Sequence, residues 1–154
     1  MKVYFASPWF NPDQAEREDR VKRILRGLGC FEVFSPKDNV VCPPDASDEM
    51  RKKAFNDNIK NIVDCDILFA ITDGKDMGTI WEAGFANGLN EQRIHDMIGK
   101  QILVVYYCET LGNGQFNLML AQSGDIVITK EEDLNDLPRM ISEGEKKKYA
   151  GSIE

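Results

Sequence analysis

Short runs of β-branched and aromatic residues alternate along the chain with longer stretches whose apolar positions recur every three or four residues. "VYFA" (Val3 to Ala6) predicts a strand, and Pro12 to Leu28 an amphipathic helix with Asn11 as its cap, Pro12 at the first helical position and Gly29 as its stop. "FEVF" (Phe31 to Phe34) predicts a second strand, followed by the long loop "SPKDNVVCPPDAS" and a helix from about Asp48 to Val63. "DILFAIT" (Asp66 to Thr72) is apolar throughout, as a strand buried on both faces would be. A third helix is expected to start near Thr79, and "QILVVYY" (Gln101 to Tyr107) is the fourth strand. Beyond it come a turn at Asn113-Gly114, a short helix at Phe116 to Ala121, a fifth strand "DIVIT" (Asp125 to Thr129) and a last helix from Glu131 to Glu143.

Strict alternation of strand and helix predicts an α/β domain: a parallel sheet with helices on both faces. For five strands the expected arrangement is a flavodoxin-like, Rossmann-like doubly wound sheet in the order 2-1-3-4-5. The winding then reverses between strands one and three, and a crevice opens beyond their carboxyl ends. Two loops would line it, "SPWFNP" after strand one and "DGKDMG" after strand three.

Composition narrows the partners. The 154 residues, 42% hydrophobic, fit a single domain over 1–154, with 145–154 read as a mobile or interface tail. A net charge of −7, from 19 Lys and Arg against 26 Asp and Glu, repels phosphate backbones, so no nucleic-acid polymer is expected as a partner. The basic run Lys146 to Lys148 reads as a solvated end. Cys30, Cys42, Cys65 and Cys108 are widely spaced and His95 is the single histidine, a pattern that offers no metal site. No segment reads as a signal peptide or membrane span, so the expectation is a cytoplasmic protein with no membrane partner.

The candidate chemistry centres on "TDGKDMGTIWEAGFANG", where Glu82 sits among Ile80, Trp81, Ala83 and Phe85. Thr79 and Glu82 fit a capping box, which alone would explain the carboxylate. Its predicted place at the crevice suggests more: the helix N-terminus would keep it ionised, as a nucleophile or a stabiliser of a cation. Asp76, an ordinary turn residue by itself, adds a second carboxylate, and paired acids suit glycoside chemistry. Tyr4 reads either as core or as a crevice residue. Trp9 and Phe10, between Pro8 and Pro12, offer rings that can stack on a nucleobase. Asn117 in "QFNLM" reads as a helix cap, and Asn58 beside Asp57 as a residue on a helix face.

"VYFASPWF", "DILFAITDGKDMGTIWEAGFA" and "FNLM" resemble, in order and spacing, the nucleoside 2-deoxyribosyltransferases. The resemblance runs from Lys2 to about Thr129, and its most specific part is D-x-G-T-x-x-E-x-G-x-A, Asp76 to Ala86. It implies an enzyme that cleaves the N-glycosidic bond of a 2'-deoxynucleoside, holds the deoxyribosyl group on a glutamate and passes it to a free nucleobase, with no cofactor. It places Glu82 as the nucleophile, Tyr4 as the hydroxyl that orients it, and Asp76 on the sugar hydroxyls. Trp9, Phe10, Asn58, Gly78, Asn117 and Met119 fall at substrate-binding positions, with Asn117 reaching the sugar of a neighbouring subunit's site in a homo-oligomer.

This sequence departs from the family pattern at one such position. Where relatives carry an aspartate that serves the base, alignment through Asp66 puts Asn58, an amide with no titratable proton. Asp57 lies one residue earlier, about 100° around the helix, and would need a shifted register. The segment "NGLNEQRIHDMIGK" is also longer than the usual connection. Two other functions fit the same residues: a hydrolase of nucleosides or their 5'-monophosphates, and a non-catalytic domain that binds nucleotide-like ligands. The aromatic, uncharged "SPWFNP" favours nucleosides over nucleotides.

Overall fold

The computed structural model describes residues 1–40, 42–111 and 114–154. Its core is a five-stranded sheet, all parallel, in the order β2-β1-β3-β4-β5. The strands are β1 (Lys2–Ala6), β2 (Glu32–Phe34), β3 (Ile67–Ile71), β4 (Leu103–Tyr107) and β5 (Ile126–Ile128). Between them run α1 (Pro12–Gly27), the short α2 (Pro36–Asn39), α3 (Asp48–Asp64), α4 (Met77–Asp96) and α5 (Leu118–Ser123). A 3-10 helix at Glu131–Asp136 leads into α6 (Leu137–Ser142). The doubly wound order read from the alternation is the one observed.

Alternation along each strand divides the core in two. Val3, Phe5, Ile67, Phe69, Val105 and Tyr107 pack with Val21 and Leu25 of α1 and with Leu134 and Met140 near the end of the chain. Tyr4, Ala6, Leu68, Ala70, Val104 and Tyr106 pack on the opposite face with Ile62 of α3 and with Ala83 and Ala86 of α4. The two alanines of α4 bring that helix close to the sheet. Tyr4 therefore faces α4, which follows from its even place in a strand whose odd residues face α1.

Three elements differ from the sequence expectation. The loop after β2 holds α2, with Pro36 in the first helical turn. The last helix divides, because Pro138 cannot donate within a continuous helix and instead sits in the first turn of α6. The long segment after residue 86 is a continuation of α4, which ends at Met97 in a left-handed conformation (φ 53°). Asn90 fixes it by pairing with both the carbonyl and the amide of Ile102.

Gly114 donates to the carbonyl of Leu111 (2.6 Å); Asn113, the other half of the expected turn, lies outside the described residues. The last ten residues lie against the domain. Val127 donates to the carbonyl of Lys147, Phe116 to that of Ser152, and the Tyr149 ring packs edge-on against Phe116.

Candidate active site

Tyr4 and Glu82 meet between β1 and α4, where the Tyr4 hydroxyl donates to Glu82 Oε1 at 2.5 Å. Tyr4 is fully buried, and Phe34 at the end of β2 stacks on its ring with centroids 5.7 Å apart. Burial pushes the Glu82 carboxyl up to about 7; the Tyr4 bond pulls it down, and the charge of Asp76 pushes it up again. Tyr4 itself is driven well above the ordinary phenol range, first by burial and then by the carboxylate beside it.

The expectation that the helix N-terminus would keep Glu82 ionised is thus corrected. Glu82 is the sixth residue of α4, past the free amides of the first turn, and the acid at the helix start repels it. Once ionised, a carboxylate held out of water is a stronger nucleophile than a solvated one because it has less hydration to lose.

Tyr4→Phe removes the one bond that favours the charged form. The Glu82 pKa should then rise above about 7, and the ascending limb of any activity that needs its anion should move to higher pH by roughly one unit or more. Rates would fall about tenfold below pH 7 and recover toward pH 9. An unmoved limb would show that Tyr4 does not act through Glu82.

The capping box is also corrected. Asp76, not Thr79, caps α4: its Oδ2 accepts from the Thr79 amide at 2.7 Å, and Thr79 is the third residue of the helix. The turn that delivers Asp76 uses two residues with positive φ, Gly74 (81°) and Lys75 (51°). Gly78 lies next to it, and a Cβ there would sit 3.2 Å from the Asp76 carboxylate, a tight contact that would push the capping oxygen aside by a few tenths of an ångström.

Asp76→Asn keeps a good capping oxygen and removes only the charge, whereas Asp76→Ala removes both. The alanine variant should lose about 1 kcal/mol of stability and the asparagine variant only a few tenths. If both nonetheless weaken substrate binding to a similar degree, the carboxylate serves the ligand as well as the helix.

The remaining predicted residues divide between two places. Trp9 and Phe10 lie in the loop leaving β1, stacked on each other at 5.3 Å, with the Phe10 ring 72% exposed. Asn58 is on the inward face of α3, one turn from the buried Ala54 and Ile62. Asp57 points elsewhere, its carboxylate paired with Lys53 at 2.6 Å.

Asn117 and Met119 belong to a different hollow. It is a cavity of about 570 Å³ beyond β3 and β4, lined also by Asp73, Ile80, Phe116 and Glu154 but not by Tyr4, Asp76 or Glu82. Asn117 caps α5, accepting from the amides of Met119 and Leu120, and Met119 is 72% exposed. Among the described residues no group of three or more His, Cys, Asp or Glu side chains could hold a metal ion, and no helix is long and apolar enough to cross a membrane.

Sequence reasoning missed Phe34 and Phe55. Phe34 covers Tyr4, and Phe55 of α3 meets Trp81 at 5.9 Å, with Trp81 stacked in turn on Phe85 at 5.4 Å. Trp81 is half exposed. Asp73 went unnoticed as well: it is 2% exposed and accepts from the amides of Glu109 and Thr110, joining the loops after β3 and β4.

A family model described as nucleoside 2-deoxyribosyltransferase matches residues 3–126 of the chain. The chain belongs to the nucleoside 2-deoxyribosyltransferase family. Among solved structures, it resembles a 2-deoxyribosyltransferase from the psychrotolerant bacterium Bacillus psychrosaccharolyticus, with a TM-score of 0.79 and 28% identity over 97% of this chain and 99% of that one. A conserved protein from Enterococcus faecalis V583 shares the fold, with a TM-score of 0.68 and 22% identity over 92% and 98% of the two chains. No curated protein matches the chain significantly. The family match spans β1 to the start of β5 and so contains the Tyr4–Glu82 pair, Asp76 and the α5 cap.

Proposed function

We propose that this member of the family transfers a 2-deoxyribosyl group between nucleobases through a covalent intermediate on Glu82. The supporting observation is the Tyr4–Glu82 pair between β1 and α4, in which a fully buried phenol donates to the carboxylate. In the first half-reaction a Glu82 oxygen bonds to C1' of a 2'-deoxynucleoside as the C1'–N bond breaks, and the electron pair leaves with the base. A 2'-deoxy sugar has no 2'-hydroxyl to destabilise positive charge at C1', so a carboxylate suffices without a metal or cofactor. An incoming base then attacks C1', releases the carboxylate and gives up a proton.

Tyr4 holds the attacking carboxylate and favours its anion. Asp76 stands near enough to repel Glu82, which supports its assignment as the acceptor of sugar hydroxyls. Trp9 and Phe10 offer rings for the base, and Asn58 an amide for its edge. Asn117 and Met119 line a hollow apart from their own chain's Glu82, which supports assigning them to the site of a neighbouring copy in a homo-oligomer.

Incubation with a 2'-deoxynucleoside and a second free base, with donors of both purine and pyrimidine type, tests the reading. The exchanged nucleoside should form. Free sugar released at the same rate without an acceptor base would point to hydrolysis instead, and ligand binding without turnover to a binding domain.

A further inference from the structure

The amide oxygen of Asn58 is closed off from solvent and has no hydrogen-bond partner among the described residues. A buried carbonyl left unpaired costs about 1–3 kcal/mol, and most such groups in native proteins are satisfied. The Phe55–Trp81 contact holds this stretch of α3 against the first turns of α4, where Asp76 and Glu82 stand. Asn58 is therefore an inward-facing polar group on a helix that packs against the start of α4, with hydrogen-bonding capacity its own chain does not use.

Among the described residues, the groups on the elements packed around Asn58 are poorly suited to give a proton to a departing base. On α3 itself Asp57 pairs outward with Lys53, Lys60 is exposed, and Asn61 donates to the Asp57 carbonyl. Cys65, which ends α3, gives its thiol to the Ile62 carbonyl, and burial pushes its pKa up to about 11. From β1, Tyr4 is committed to Glu82 and is an unusually weak acid. From α4, Glu82 must be an anion to attack, and Asp76 accepts the Thr79 amide. From β2, Phe34 presents only a ring.

Building on the transferase reading, we infer that Asn58 restricts efficient donors to 2'-deoxynucleosides whose base leaves without a proton from the protein. These are cationic, N-alkylated or strongly electron-poor bases. As the C1'–N bond breaks and the C1'–O bond to Glu82 forms, the electron pair stays on the base nitrogen. A cationic base then departs neutral. A neutral base departs as an anion and takes its proton from water, so its own acidity sets the rate. The Asn58 amide holds the edge of the base by hydrogen bonding and does not titrate.

The test compares kcat/KM for 7-methyl-2'-deoxyguanosine, whose base leaves neutral, with that for 2'-deoxyguanosine, using adenine as acceptor from pH 5.5 to 8.5. Asn58→Asp should raise the 2'-deoxyguanosine value by roughly ten- to a hundredfold below pH 7, the low end of what a positioned acid contributes. The methylated donor should show no such gain below pH 7, and the variant should add a falling alkaline limb for 2'-deoxyguanosine. Equal changes on both donors, or none, in a variant that melts like the wild type would overturn the inference.

If the variant does not fold, the wild-type profile decides. With 2'-deoxyguanosine it should rise with Glu82 ionisation and show no fall up to pH 8.5, whereas a falling limb in that range would reveal an acid and overturn the inference. Wild-type protein that exchanges neither donor removes the transferase reading itself.

Discussion

Glu82→Gln is expected to abolish base exchange and, at the same time, to stabilise the protein above pH 7. The amide keeps the shape of the side chain and an oxygen for the Tyr4 hydroxyl, but it cannot form a glycosyl ester. The loss should be at least roughly a thousandfold, as for removal of a covalent nucleophile. The gain in stability follows from linkage. The Glu82 pKa rises from 4.5 to about 7 on folding because burial disfavours its anion. The folded state then binds a proton that the unfolded state has lost, and this contribution to stability disappears between about pH 4.5 and 7.

At 1.36 kcal/mol per unit, the charged carboxylate costs the fold roughly 3 kcal/mol above pH 7. The difference in melting temperature between variant and wild type should therefore grow from pH 4.5 to 7 and stay constant beyond it. Thermal melts at several pH values, run beside the exchange assay, separate the two effects. A glutamine variant that is stable and still exchanges bases would remove Glu82 from the chemistry.

The fold was legible because the periodicities are strong. β3 is buried at every position, and α1 carries both its cap and its proline where the sequence predicts them. The meeting of Tyr4 with Glu82 follows from strand parity and from the place of α4 after β3. The start of α4 was less legible because two capping frames overlap. Asp76-x-x-Thr79 and Thr79-x-x-Glu82 have the same spacing, and local chemistry favours both. What selects the first is the turn at Gly74 and Lys75, whose left-handed backbone brings Asp76 to the cap position.

Other contacts between elements distant in sequence were less legible. The rings of Phe34 and Phe55 meet partners that only the strand order supplies, and the partnerless oxygen of Asn58 depends on how α3 is rotated against the sheet. The same holds for the charges beneath the loop after β2.

Glu18→Ala should be the most damaging substitution outside the crevice. Glu18 is fully buried on α1, and its carboxylate accepts from Lys22 (2.9 Å), Lys37 (3.0 Å) and the Ser35 hydroxyl (2.9 Å). Lys22 is itself 5% exposed, and it also pairs with Asp38 at 2.8 Å and, more loosely, with Asp19 at 3.4 Å. Removing Glu18 leaves a buried ammonium short of its counter-charge, and breaking such a pair from one side costs about 3–5 kcal/mol. The remaining pairs with Asp38 and Asp19 place the expected loss near the lower figure, equivalent to roughly 10 °C in melting temperature for a chain of this size.

Glu18→Leu combined with Lys22→Met removes both charges and should recover most of that loss, because an apolar pair needs no desolvation of ions. The effect also reaches the crevice. Ser35 directly follows Phe34, so freeing it loosens the ring that lies on Tyr4, and activity should fall through weaker positioning of Glu82 without disappearing. Denaturant unfolding of the single and double variants provides the measurement. A loss below about 1 kcal/mol in Glu18→Ala would mean that water or Asp38 satisfies Lys22 and that the cluster does not hold β2 in place.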